Sequence, residues 1–114
     1  MVKTDEYYSL RIFIGENDTY GGLLLYQWLV NQAREQGLAG ATVVRSIMGF
    51  GAHAQIHKPS LIQFSPDSTV ILEIVDTKAR IDSFMITVDK AVHEGLVTKT
   101  EINARRYRAQ KPES

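Results

Sequence analysis

The stretch Thr69-Val70-Ile71-Leu72-Glu73-Ile74-Val75 constrains the fold more than any other part of the chain. It is rich in β-branched residues and reads as a strand. Side chains alternate between the faces of a strand, and here both sets are apolar. Val70, Leu72 and Ile74 form one set, Ile71 and Val75 the other. Such a strand belongs inside a sheet that is covered on both sides. The fold must therefore provide two covers, or one cover and a partner.

The flanking pattern provides one cover. Tyr8, Leu10, Ile12 and Ile14 alternate with Ser9, Arg11 and Phe13, which predicts a first strand. Residues 1–6 read as a frayed terminus and Gly15 to Gly22 as a polar loop. Leu24 to Gln36 reads as a helix with Leu25, Leu29 and Ala33 on one face beside Tyr26 and Val30, and Gly37 is placed to end it. Thr42 to Met48 predicts a second strand, closed by Gly49-Phe50-Gly51. After the long segment 50–68 and the third strand, Asp76 or Thr77 can cap a helix carrying Ile81, Phe84, Val88, Ala91 and Val92 at helical spacing. Gly95 stops it, Val97 to Tyr107 predicts the fourth strand, and 110–114 is expected to be a disordered tail.

The order β-α-β-β-α-β is the signature of an α+β ferredoxin-like sandwich. Its two helices lie on one face of the sheet. Phe13, Ile71 and Val75 would be left on the other, so association through that face is expected, with fold-back of the long segment as the alternative.

With 114 residues and 44% hydrophobic content, one domain spanning 1–114 is expected. There is no cysteine, which excludes disulfides, thiolate metal sites and cysteine nucleophiles. Thirteen basic side chains balance thirteen acidic ones, which argues against non-specific nucleic-acid binding. The polar start and the short apolar runs predict neither a signal peptide nor a membrane span, so a cytoplasmic protein is expected.

Several blocks together carry a resemblance. They are Gly15-Glu16-Asn17-Asp18, Leu25-Tyr26, Gly37-Leu38-Ala39-Gly40-Ala41-Thr42-Val43-Val44-Arg45, Gly49-Phe50-Gly51, Glu73-Ile74-Val75-Asp76 and Gly95-Leu96-Val97-Thr98. Over residues 7–107 the chain resembles the PII-like family catalogued as domain of unknown function 190. That family is similar to the nitrogen-regulatory PII proteins and to the CutA-type cation-tolerance proteins, which are trimers of ferredoxin-like subunits. The resemblance implies a homotrimeric signalling protein and no enzyme. It implies an adenine nucleotide held in clefts between subunits, and residues 51–67 as a mobile loop (the T-loop of PII proteins) that docks a partner. A membrane transport protein is the partner class suggested, since family members are often described beside fluoride-exporter-type membrane proteins.

Two positions depart from the family pattern, Leu24 where Pro is usual and Ser46 where Gly is usual. PII proteins also carry a Gly-Asp-Gly-Lys turn whose Lys contacts phosphate. Here the stretch reads Thr98-Lys99-Thr100-Glu101, so that phosphate contact is not reproduced.

The candidate ligand-binding residues are Arg45, Gly49, Phe50, Gly51, Arg105 and Arg106. The glycines allow backbone N–H groups to approach an anion, or simply end the strand. Arg45 either meets an anionic ligand or pairs with Glu16, Asp18 or Glu73, and the salt bridge is the favoured reading. Arg105, Arg106 and Arg108 form either a fork for phosphate or a solvated basic end.

His53 and His57 stand four apart, a spacing that could hold a metal on a helix, but no third ligand is near in sequence. A CutA-like divalent-metal-binding protein is therefore the alternative function. His93 suits a helix C-terminus. Asn17 and Asp18 are expected to satisfy loop backbone groups rather than to work with Glu16 as a catalytic pair. Tyr26 and Trp28 are expected to serve packing or an interface.

Overall fold

The computed structural model describes residues 2–3, 6–50 and 68–109, with the backbone alone at 2–3. Its elements are β1 (Val2–Lys3), β2 (Tyr7–Gly15), β3 (Thr19–Tyr20), β4 (Leu23–Leu24), α1 (Leu25–Glu35), β5 (Thr42–Arg45), β6 (Thr69–Thr77), α2 (Lys78–Ala91), β7 (Leu96–Ile102) and β8 (Arg106–Tyr107).

The four long strands form one sheet in the order β5-β6-β2-β7, with every neighbouring pair antiparallel. This is the expected ferredoxin-like arrangement, in which each helix carries the chain across one intervening strand. The core lies between the sheet and the helices. Leu10, Ile12 and Ile14 of β2 and Val70, Leu72 and Ile74 of β6 are buried against Leu25, Leu29 and Ala33 of α1 and Ile81, Phe84, Val88 and Ala91 of α2. Each fully buried large side chain of this kind contributes about 1.5–3 kcal/mol.

The helix ends follow from local chemistry. The N–H groups of Gly37 and Leu38 return to the carbonyls of Arg34 and Ala33, and Gly37 has φ +78°, which completes a Schellman stop. The Thr77 hydroxyl accepts from the Arg80 N–H and caps α2. Asp76, the other cap candidate, is buried and accepts the backbone N–H of Ala39 at 2.9 Å, which holds the α1–β5 connection on the sheet. Arg80 of α2 donates to the carbonyl of Gly37, and Gln36 donates to the Thr87 hydroxyl at 2.8 Å, so the two helices are tied at the end of α1.

Several boundaries differ from the sequence expectation. The second strand stops at Arg45 instead of Met48, because Ser46 turns and exchanges two hydrogen bonds with Thr69. The fourth strand stops at Ile102, and Arg106–Tyr107 pairs instead with Val2–Lys3, so the terminus is not wholly frayed. The 15–22 loop contains a small hairpin in which Thr19 pairs with Leu24 and Tyr20 with Leu23. Its turn is Gly21-Gly22 at φ +59° and +82°, the pair of positive values that a two-residue hairpin of this type demands.

The sheet face away from the helices carries Phe13 and Arg11 of β2, Ile71, Glu73 and Val75 of β6, Val44 of β5 and Leu96 of β7. Val44 and Leu96 are half exposed there. At its centre Arg11 Nε donates to the Glu73 carboxylate at 2.8 Å, and the Ser9 hydroxyl donates to the same oxygen at 3.1 Å. The Arg11 bond holds the Glu73 carboxyl below the usual carboxylate range, opposed by partial burial and helped by Ser9.

Candidate functional site

The predicted site residues fall into two groups at opposite ends of the sheet. The first group lies where the chain leaves β5 and re-enters at β6. Ser46 N–H donates to the Thr69 carbonyl at 2.8 Å, and the Ser46 hydroxyl accepts from the Thr69 N–H at 3.3 Å. Glu16, just past the end of β2, donates its backbone N–H to the Ser68 carbonyl at 2.8 Å.

Arg45 completes this end. Its Nε and Nη2 donate to the two carboxylate oxygens of Glu16 at 2.8 and 2.6 Å. Of the three acids considered from sequence, Glu16 is the partner. The Glu16 hydrogen bond and charge hold the Arg45 guanidinium protonated even more firmly than usual. Gly49 and Phe50 follow, with Phe50 69% exposed, and Ile47 and Met48 beside them are exposed as well. Gly51, His53, His57 and the whole 51–67 loop prediction lie outside the described residues.

The turn beneath this group is built by Asp18. Its carboxylate accepts the Gly15 N–H at 2.9 Å and its carbonyl accepts the Leu25 N–H at 2.7 Å. A Cβ on Gly15 would sit 2.7 Å from Asp18 Oδ1, so the carboxylate needs the glycine. Asp18 is thus a loop organiser, as its residue type suggested.

The second group lies at the far end. Arg106 Nη2 donates to the Val75 carbonyl at 3.0 Å, and its guanidinium carbon stands 5.6 Å from the centre of the Tyr7 ring. Tyr7 is buried beneath it. Arg105 is exposed and makes a long contact of 3.5 Å to the Tyr107 hydroxyl.

Arg45 pairs with Val70 and Arg106 reaches Val75, so about 17 Å of strand separates the two groups at 3.3 Å per residue. Within one chain the Arg105–Arg106 end therefore does not adjoin the Arg45 end.

In the Thr98-Lys99-Thr100-Glu101 stretch the lysine is engaged within the fold. Lys99 donates to Asp82 of α2 at 2.9 Å and lies 5.7 Å from the Tyr8 ring. Asp82 also takes Lys78 at 2.8 Å. The lysine is absorbed into the seam between α2 and β7. Sequence reasoning missed Asp76 and Ser46 as fasteners, although both are residue types that bond backbone readily. Among the described residues no three His, Asp or Glu side chains converge on a metal-sized space, and no helix is long and apolar enough to cross a membrane.

Comparison with known proteins identifies the family. The model of domain of unknown function 190, described as an uncharacterized ACR, matches residues 7–104. The chain belongs to this family. A UPF0166 protein of Aquifex aeolicus (strain VF5) is 38% identical over 93 residues, covering 82% of this chain and 88% of that protein.

Among solved structures, the fold of this family member is similar to the nitrogen regulatory PII-like protein CPII of Thiomonas intermedia K12 bound to ADP, AMP and bicarbonate. That match has a TM-score of 0.63 and 14% identity, over 90% of this chain and 98% of CPII. The PII protein of Arabidopsis thaliana bound to citrate matches with a TM-score of 0.59 and 15% identity, over 87% of this chain and 79% of that one. At these identities the likeness establishes a PII-like fold.

Proposed function

We propose that the chain is a PII-like regulatory protein. It binds a small anionic ligand, with an adenine nucleotide as the first candidate, in clefts between copies of itself. The observation that carries this reading is the split of the candidate site. Arg45 with Gly49-Phe50 stands at one end of the sheet and Arg105 at the other, with a largely apolar sheet face, left uncovered by the described residues, between them.

A second copy laid on that face buries Phe13, Val44, Ile71, Val75 and Leu96 and brings the Arg105 end of one chain toward the Arg45 end of the next. The Arg11–Glu73 pair at its centre enters already neutralised, so burial leaves no lone charge. A homotrimer is the assembly the family resemblance supplies.

Binding chemistry would come from guanidinium forks and bare glycine backbone, both suited to phosphate or carboxylate. That CPII was solved with ADP, AMP and bicarbonate, and the Arabidopsis PII protein with citrate, supports anions of this size. Residues 51–67 are the segment through which a partner would be engaged, a membrane transport protein being the class to try first. The reading contains no catalytic step and places the protein in the cytoplasm. Sedimentation together with calorimetry against ATP, ADP, AMP and cyclic nucleotides tests it. A trimer that binds one of them at micromolar concentration supports it; a monomer, or no binding below millimolar concentration, overturns it.

A further inference from the structure

Glu16 touches both limbs of the chain at the Arg45 end. Its N–H is fixed to the Ser68 carbonyl on the re-entering limb, and its carboxylate is gripped by Arg45 on the departing limb. The two side chains differ sharply in exposure. That of Glu16 is 13% exposed and that of Arg45 is 59% exposed. A solvent-borne anion can therefore approach the guanidinium, yet the fork is already filled by an anion from the protein itself. The Nε–Nη2 edge that Glu16 occupies has the geometry that also suits phosphate and carboxylate.

We infer that Glu16 is an internal competitor at the Arg45 site, and that a ligand takes the guanidinium fork only by displacing the Glu16 carboxylate. This rests on the anion-binding reading above and adds a specificity rule to it. Exchanging one carboxylate for another returns no net gain. It also leaves Glu16, which is mostly shielded from water, without its charge partner, and that is costly. A singly charged carboxylate ligand is therefore rejected. A multiply charged group such as a diphosphate gains more from the same guanidinium, and so wins the exchange. Glu16 thus sets a threshold of ligand charge. Displacing it also removes a side-chain link between the end of β2 and the departing limb of the chain, so ligand occupancy is felt where that limb leaves the sheet.

Calorimetry with ADP and with acetate on the intact protein, on Glu16→Gln and on Glu16→Ala tests the inference. Both variants should bind ADP roughly tenfold or more tightly than the wild type, as expected for loss of a charge-assisted competitor. Acetate binding should appear only in the variants. Adding Arg45→Ala to either variant should abolish the gain. A measurement that needs no variant is the carboxyl carbon resonance of Glu16, which should move when ADP is added. If ADP binds the wild type, the variants bind no more tightly and the resonance stays in place, the competitor role is overturned while the binding reading stands. If neither the wild type nor the variants bind ADP, the binding reading falls and the competitor role falls with it.

Discussion

Arg45 and Arg106 stand at opposite ends of the central strand β6, one beside Val70 and the other bonded to the carbonyl of Val75. Two arginines that a phosphate reader would bring together are held apart by the sheet itself. Each is also occupied, Arg45 by Glu16 and Arg106 by the Val75 carbonyl and the Tyr7 ring. On the proposed reading, a complete site needs a second copy of the chain.

The open face makes the first prediction. Ile71 lies between Phe13 and Val44 in the register, away from the helices. Ile71→Asp should leave the monomer folded and dissociate the assembly, because an unpaired carboxylate cannot be buried there without large cost. Sedimentation velocity reads the result; an unchanged assembly would rule out this face as the contact.

Gly95 makes the second. It has φ +155°, and a Cβ placed on it would overlap the carbonyl oxygen of Phe13. Gly95→Ala should lower stability by about 1–3 kcal/mol from the backbone conformation alone, with the overlap added. Denaturant unfolding measures it, and a variant as stable as the parent would mean that the β2–β7 contact yields easily.

Acid sensitivity makes the third. The folded Glu73 carboxyl titrates below its unfolded value because Arg11 holds it ionised. Its contribution is therefore present above the ordinary glutamate range and is lost as pH falls through the depressed folded value. In the single chain both side chains are partly exposed, so the contribution there is at most about 1 kcal/mol. Glu73→Gln should narrow the drop in melting temperature between neutral pH and about pH 3. An identical drop in parent and variant would contradict the assignment.

The sequence carried the sheet and the helices because those elements rest on local signals. Leu10, Ile12 and Ile14 alternate, Ile81, Phe84 and Val88 repeat at helical spacing, and Gly37 sits where a helix must reverse. The Gly21-Gly22 hairpin had a signal as well, two glycines between Tyr20 and Leu23, but its strands are two residues each and too short for alternation to mark. The pairing of Arg106–Tyr107 with Val2–Lys3 had none, since it joins the two ends of the chain through residues without an apolar pattern. The site divides in the same way. A partner for Arg45 was foreseeable from a lone charge in an apolar strand, whereas the separation of Arg45 from Arg106 is a property of strand order.

The central claim is that one ligand site is shared between two chains, and subunit exchange tests it most directly. Arg45→Ala and Arg105→Ala are prepared separately, then mixed and allowed to exchange. Each variant alone should bind ADP weakly or not at all. The mixture should recover binding, because some clefts then combine an intact Arg45 end with an intact Arg105 end. If the mixture binds no better than its components, while exchange of subunits is confirmed by mass spectrometry, the shared site does not exist.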